Sequence, residues 1–246
     1  STAASCAIIR MHYSTLDGTA FAWEGYHYWR DWPQHLGLPD SAELARFIEC
    51  GCLVMKTSGN DYMARHIEQS RALDIPMEEW GEAEILERLP IYSLESFYPP
   101  KSRQDDNFGQ SNGGQLHGAV YWPNGGYVTD PALSAQNLMD AAKLHGADVR
   151  LGAEVIEILQ SDGHVTGVKL ACGEVLRASV VVNVAGPGSA TINQMAGVTE
   201  EMTIRTRPLR QEVVHVPAPE GFDFEGRAPV VSDNDIGCYV RPEHGN

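Results

Sequence analysis

Arg10 follows the apolar pair Ile8-Ile9 and precedes Met11-His12-Tyr13. A planar guanidinium carries two parallel donors and can hold a carboxylate in a fixed orientation, which a lysine cannot. The alternative at this spacing is a surface salt bridge. A second group is Gly186-Pro187-Gly188, placed between the apolar run 180–185 and a helix-like segment, 189–196. A strand that ends in Gly-x-Gly at a helix start lets backbone approach a diphosphate. Thr191 stands where the usual fingerprint has its last glycine or alanine, and a plain strand-to-helix turn is the alternative. The chain holds no complete Gly-x-Gly-x-x-Gly and no Walker loop.

The remaining reactive residue types form no such pattern. His12, His27, His35, His66, His117, His145, His164, His215 and His244 are scattered, without the spacing of a His-Glu-x-x-His metal site. Gly-x-Ser-x-Gly occurs only as Gly109-Gln110-Ser111-Asn112-Gly113, inside the polar stretch 98–118 and not at a strand-to-helix turn, so a hydrolase nucleophile elbow has no support. Asp105-Asp106 lie in a polar loop and read as solvated. Cys6, Cys50, Cys52, Cys172 and Cys238 are odd in number and lack a framework spacing, as in a reduced compartment. Cys50-Gly51-Cys52 lacks the second half of a structural zinc site and reads as two small, semi-buried residues.

The elements that must position these groups follow from periodicity. Residues 21–36 carry six aromatics at helical spacing and predict one broadly packed helix. A short strand over 51–57 and a helix over 61–73 come next. An acidic helix is expected over 76–89, with Trp80 early in it. Residues 98–118 are polar and turn-rich, a mobile stretch or a functional lid. A strand and glycine turn follow over 118–130, then a helix over 131–145 that Gly146 stops. Strands are expected over 148–151, 154–159, 165–171 and 175–178, and a strand buried on both faces over 180–185. Residues 207–216 and 228–241 read as strands, with 242–246 as a turn. Both ends read as the interior of a longer chain: Ser1 opens inside a loop, and the last strand stops at its own turn.

At 246 residues the chain makes one large domain or two small ones and needs no disulfide staples. Apolar residues at 43% and charged residues at 21% are globular composition. Lys+Arg 18 against Asp+Glu 33 gives a net charge of −15, a field that repels phosphate backbones and anionic lipid. Neither nucleic acid nor a membrane surface is therefore an expected partner. No apolar run reaches a membrane span, and no basic start precedes an apolar stretch. A cytoplasmic protein is expected.

Four stretches, in order and spanning almost the whole chain, resemble the FAD-dependent D-amino-acid oxidase superfamily, and within it the sarcosine and dimethylglycine oxidases and dehydrogenases. They are residues 1–10, residues 146–149 through 165–168, residues 180–186, and Arg207-Pro208-Leu209-Arg210-Gln211 with 239–245. The resemblance implies an α/β (α+β) fold: a partial FAD-binding domain of the glutathione-reductase-like type over 1–50 and 130–205, and a mixed-sheet substrate domain over 51–129 and 206–246. It places Ser1, Thr2 and Ser5 beside the FAD diphosphate, Val155 by the adenine, and Ala185 and Gly186 at the turn near the dinucleotide. Arg10 matches an arginine that holds the substrate carboxylate, and Tyr239 lies on the strand lining the substrate side of the flavin.

What the resemblance implies is oxidation of the C–N bond of a small secondary or tertiary amino acid, with FAD as cofactor. Rivals are a relative acting on a D-amino acid or glycerol-3-phosphate, and a non-catalytic related subunit. Other subunits or an electron acceptor are further partners it allows. Ala4 stands where dimethylglycine-type dehydrogenases carry a flavin-linking histidine, which argues against covalent attachment there. The lysine that some members use for oxygen activation would follow Asn246, so oxidase and dehydrogenase are not separated.

Overall fold

The computed structural model describes residues 2–243. Its elements are β1 (Ile8–Ile9), α1 (Leu16–Arg30), α2 (Trp32–Leu36), β2 (Phe47–Ile48), β3 (Cys52–Met55), α3 (Met63–Ala72), β4 (Glu78–Trp80), α4 (Glu82–Arg88), β5 (Ala119–Trp122), β6 (Gly126–Val128), α5 (Pro131–Leu144), β7 (Val155–Ser161), β8 (His164–Leu170), β9 (Val175–Arg177), α6 (Ser189–Met195), α7 (Phe224–Arg227), β10 (Val230–Asp233) and β11 (Cys238–Val240). They fall into two compact units, Ser1–Gly146 with His215–Asn246, and Ala147–Val214. Among the described residues no helix is long and apolar enough to cross a membrane.

The larger unit holds two sheets. One is small, in the order β1-β6-β2, and the other has five strands in the order β11-β10-β3-β5-β4. In the second sheet β10 runs parallel to β3 and the other pairs are antiparallel. Side chains alternate across a strand, so β3 feeds two cores. Leu53 and Met55 pack with Trp80, Ile85 and Leu116 on one face. Val54 packs with Met11, Tyr26, Val120 and Trp122 on the other. Each such aliphatic side chain contributes about 1.5–3 kcal/mol by leaving water. Between β5 and β6 the chain passes from one sheet to the other. A Cβ on Gly125 would sit 2.5 Å from Cys52 Sγ, and one on Gly126 would overlap the Ile48 carbonyl oxygen, so only glycines permit the crossing.

Helix starts are capped locally. Thr15 accepts from the Gly18 N–H at 3.1 Å, and Asp130 accepts from Ala132 and Leu133 at 2.8 and 2.9 Å ahead of Pro131. The expected single aromatic helix is two helices, α1 and α2, broken at Asp31. Pro33 supplies no N–H to continue the α1 ladder and suits the first turn of a new helix. Trp80 ends a strand rather than entering a helix. It pairs with Ala119 of β5, and the acidic helix begins only after Gly81. Residues 228–241 form the hairpin β10–β11, and β11 finds its partner in β10. Of the expected turn over 242–246, residues 244–246 lie outside the described residues.

The smaller unit contains the antiparallel meander β7-β8-β9, with turns at Asp162-Gly163 and Cys172-Gly173, and α6. Gln160 donates to the Ala196 carbonyl at 2.8 Å and ties the helix end to β7. Three expected strands are absent. Residues 148–151 are held by charge instead, with Arg150 bonded to Asp148 and Glu174 at 2.9 and 2.7 Å. Residues 180–185 are unpaired, with Val182 and Val184 at 74% and 85% exposure. Residues 207–216 are likewise unpaired and exposed. A strand exists only where another strand takes up its backbone groups, and none stands beside either segment among the described residues.

Candidate active site

Strand β1 pairs Ile8 and Ile9 with Tyr127 and Gly126, and Arg10 emerges just past its end. Arg10 is exposed, and its guanidinium carbon lies 4.8 Å from the centre of the Tyr13 ring. The salt-bridge alternative finds no carboxylate partner for it among the described residues. Its charge still acts on its surroundings, because it disfavours protonation of His12 and of His66.

His12 and His66 are the site residues that sequence reasoning missed. His12 is 6% exposed, with its ring 4.5 Å from Trp122 and 5.6 Å from His66. Burial first, then the charges of Arg10 and His66, push His12 down to about 3. Burial, then Arg10, also lowers His66. Both Nδ1 atoms are buried without a hydrogen-bond partner. Both imidazoles therefore stay neutral within reach of the Arg10 charge, to which Arg65 adds its own at His66. His66 shares the buried face of α3 with Met63, Gln69 and Ser70, and that helical spacing is the only signal that could have placed it.

The hairpin β10–β11 brings Tyr239 to the same place. Its hydroxyl lies 3.3 Å from Cys6 Sγ, and that contact, followed by burial, raises its pKa. An open cavity of about 320 Å³ adjoins it, lined by Gly59, Tyr98, Pro100, Ser232, Asn234, Gly237, Cys238 and Tyr239. Tyr62, at the start of α3, hydrogen-bonds Asn234 of the hairpin turn. Arg10, Tyr239 and this cavity all belong to the larger unit.

The residues expected at the cofactor divide between the units. Ser1 lies outside the described residues. Thr2 begins a 3-10 turn, and Ser5 accepts from the Ala7 N–H at 3.0 Å, folding the segment back into β1. Val155 opens β7, and Ala185 and Gly186 form the turn ahead of α6; all three belong to the smaller unit. Gly186 has φ +55° and no heavy atom within 4 Å of where a Cβ would stand. Backbone left open in this way, beside uncharged side chains, fits the close approach of an anionic dinucleotide.

The model of the FAD-dependent oxidoreductase family called DAO matches residues 1–246, and the chain belongs to that family. A glycine oxidase from Geobacillus kaustophilus superposes with a TM-score of 0.67 at 19% identity, over 99% of this chain and 58% of its own. An iminodiacetate oxidase from Chelativorans sp. BNC1 superposes with a TM-score of 0.57 at 18% identity, over 94% of this chain and 56% of its own. Among curated proteins, a phytoene desaturase (neurosporene-forming) from Cereibacter sphaeroides is 30% identical over 162 residues, 64% of this chain and 27% of the relative. The chain thus spans little more than half the length of the two solved structures, and about a quarter of the curated relative.

Proposed function

We propose that the protein oxidises the C–N bond of a small secondary or tertiary amino acid, such as sarcosine or dimethylglycine, with Arg10 holding the substrate carboxylate. The observation that carries this reading is an exposed guanidinium with no carboxylate partner among the described residues, next to two histidines that stay neutral. A cation without a carboxylate partner, beside groups that stay uncharged, offers the positive potential that an amino-acid carboxylate needs. The solved neighbours named for glycine and iminodiacetate agree with a carboxylate-bearing amine.

FAD, when bound, supplies the two-electron chemistry. Thr2, Ser5, Val155, Ala185 and Gly186 are the residues proposed to hold it, with residues 1–50 and 130–205 as its domain. The substrate side is assigned to residues 51–129 and 206–246. There Tyr239 remains a neutral phenol at ordinary pH, since its contact with Cys6 and its burial both oppose ionisation. It can therefore donate to or accept from the substrate without adding charge. Holding the carboxylate at two points fixes the α-carbon and converts an encounter into an oriented approach.

The test is the visible absorption of the full-length protein under anaerobic conditions. Sarcosine or dimethylglycine should bleach the flavin band, and a carboxylate-free amine should not. A flavin band untouched by any of the three refutes the reading and leaves a relative acting on a D-amino acid or glycerol-3-phosphate, or a non-catalytic subunit; an absence of flavin refutes it and leaves the non-catalytic subunit.

A further inference from the structure

The cavity beside Tyr239 is much larger than sarcosine requires. A methyl group takes up about the volume of one water molecule, ~30 Å³, whereas the cavity measures about 320 Å³. Its lining includes two aromatic rings, Tyr98 and Tyr239, and the ring of Pro100. The polar groups that line it are uncharged: the Ser232 hydroxyl, the Asn234 amide and the Cys238 thiol, whose pKa is raised by desolvation and then by the nearby Asp233 charge. The two nearby carboxylates are engaged elsewhere. Asp233 accepts from the Tyr92 hydroxyl, and Asp235 accepts from Ser96 Oγ at 2.8 Å and from the Phe97 N–H.

Those Asp235 bonds have a second consequence. Residues 97–111 form a loop whose neck is closed by backbone bonds between Ser96 and Gly114, at 2.9 Å, and between Asn112 and Ser96, at 2.8 Å. Asn112 also donates to the Tyr98 carbonyl at 2.8 Å. Asp235, 1% exposed, fastens this neck to the turn of the hairpin that carries Tyr239. Tyr98 and Pro100 are therefore fixed as one wall of the cavity. Tyr98 packs over Gly59 and Pro100 over Gly237, positions where a Cβ would meet the ring.

We propose that this cavity is the substituent pocket of the amino-acid site, that it takes a neutral, ring-sized group on the amine, and that Tyr98 and Pro100 set its size. Asp235 is a positioning residue, acting through Ser96 and Phe97 on that wall. The inference rests on the amine-oxidising reading above and deepens it from a methyl substituent to a ring.

The experiment uses the full-length flavin-loaded enzyme with sarcosine, N-benzylglycine and N-(4-carboxybenzyl)glycine. The enzyme should oxidise N-benzylglycine with a lower KM than sarcosine, and should discriminate against the charged analogue by tenfold or more, as a neutral pocket does. Tyr98→Trp should lower the ratio of kcat/KM for N-benzylglycine over sarcosine by roughly tenfold. Asp235→Asn should lower the same ratio through KM, not kcat. Anaerobic calorimetric titration with N-benzylglycine reads the same loss as binding, and Pro100→Gly replaces Tyr98→Trp if that variant does not fold. Oxidation of sarcosine without oxidation or binding of N-benzylglycine overturns the pocket and spares the reaction. An unchanged ratio in the variants also overturns it. Failure to oxidise any of the three overturns the amine-oxidising reading, and the pocket with it.

Discussion

Acid should weaken the larger unit through His12, by an amount that its surroundings set. The ring is buried against Trp122, with Arg10 and His66 close by, and its folded-state pKa is about 3. In the unfolded chain the value returns to about 6.5. Between those values the unfolded state binds a proton that the folded state refuses, so stability is full above about 6.5 and is lost as the pH falls toward 3. Each pH unit in that window costs about 1.4 kcal/mol, so about pH 5 removes roughly 2 kcal/mol. His66, shifted in the same direction, adds to the loss. The perturbation is His12→Phe, which keeps a ring beside Trp122 and removes the titrating nitrogens. The assay is urea denaturation of both proteins at about pH 7.5 and about pH 5, followed by tryptophan fluorescence. Carboxylate titration is common to both and cancels in the difference. The variant should lose about 2 kcal/mol less than the parent on acidification. Equal losses would show that His12 is solvated or already charged in the folded state, and the neutral surroundings proposed for Arg10 would fall.

Other expectations follow from single contacts. Asn137 is 2% exposed; it accepts from the Ala45 N–H at 3.0 Å and the Trp32 indole at 3.4 Å, and donates to the Glu43 carbonyl at 2.9 Å. Asn137→Ala strands those partners and should cost about 2–4 kcal/mol in a denaturant titration. Asp130→Ala removes the cap of α5 and should cost about 1 kcal/mol, read as a lower melting temperature. Gly126→Ala drives a methyl group into the Ile48 carbonyl and should yield little folded protein, judged by soluble expression and circular dichroism.

Where neighbouring residues decide the structure, the sequence was readable. Asp130-Pro131 and Gly146 bracket α5, and Asp162-Gly163 and Cys172-Gly173 mark the turns of the β7-β8-β9 meander. Where distant partners decide, it was not. Residues 180–185 have the composition of a buried strand, but composition does not supply the strands that would flank it. Trp80 follows the helix-favouring residues Met77, Glu78 and Glu79 and is drawn into a sheet by β5, some forty residues later. The site divides in the same way. Arg10 is singled out by its residue type after an apolar pair, and its proposed role comes from the family resemblance. His66 reaches His12 through the packing of α3, and Tyr98 is brought to the Tyr239 hairpin by the bonds of Asp235 to Ser96 and Phe97 and by Pro100 over Gly237. No local pattern carries either juxtaposition.

Whether Arg10 orients a substrate carboxylate is decided by steady-state kinetics of full-length Arg10→Lys. Lysine keeps the charge and loses the planar pair of donors. A lost charge-assisted hydrogen bond is worth about 1.5–3 kcal/mol, or roughly one to two decades in kcat/KM. That loss is expected on sarcosine and dimethylglycine, with little change on a carboxylate-free amine and an unaltered flavin content. An equal loss on all three amines, or loss of the flavin itself, would make Arg10 a structural residue and remove it from the substrate site.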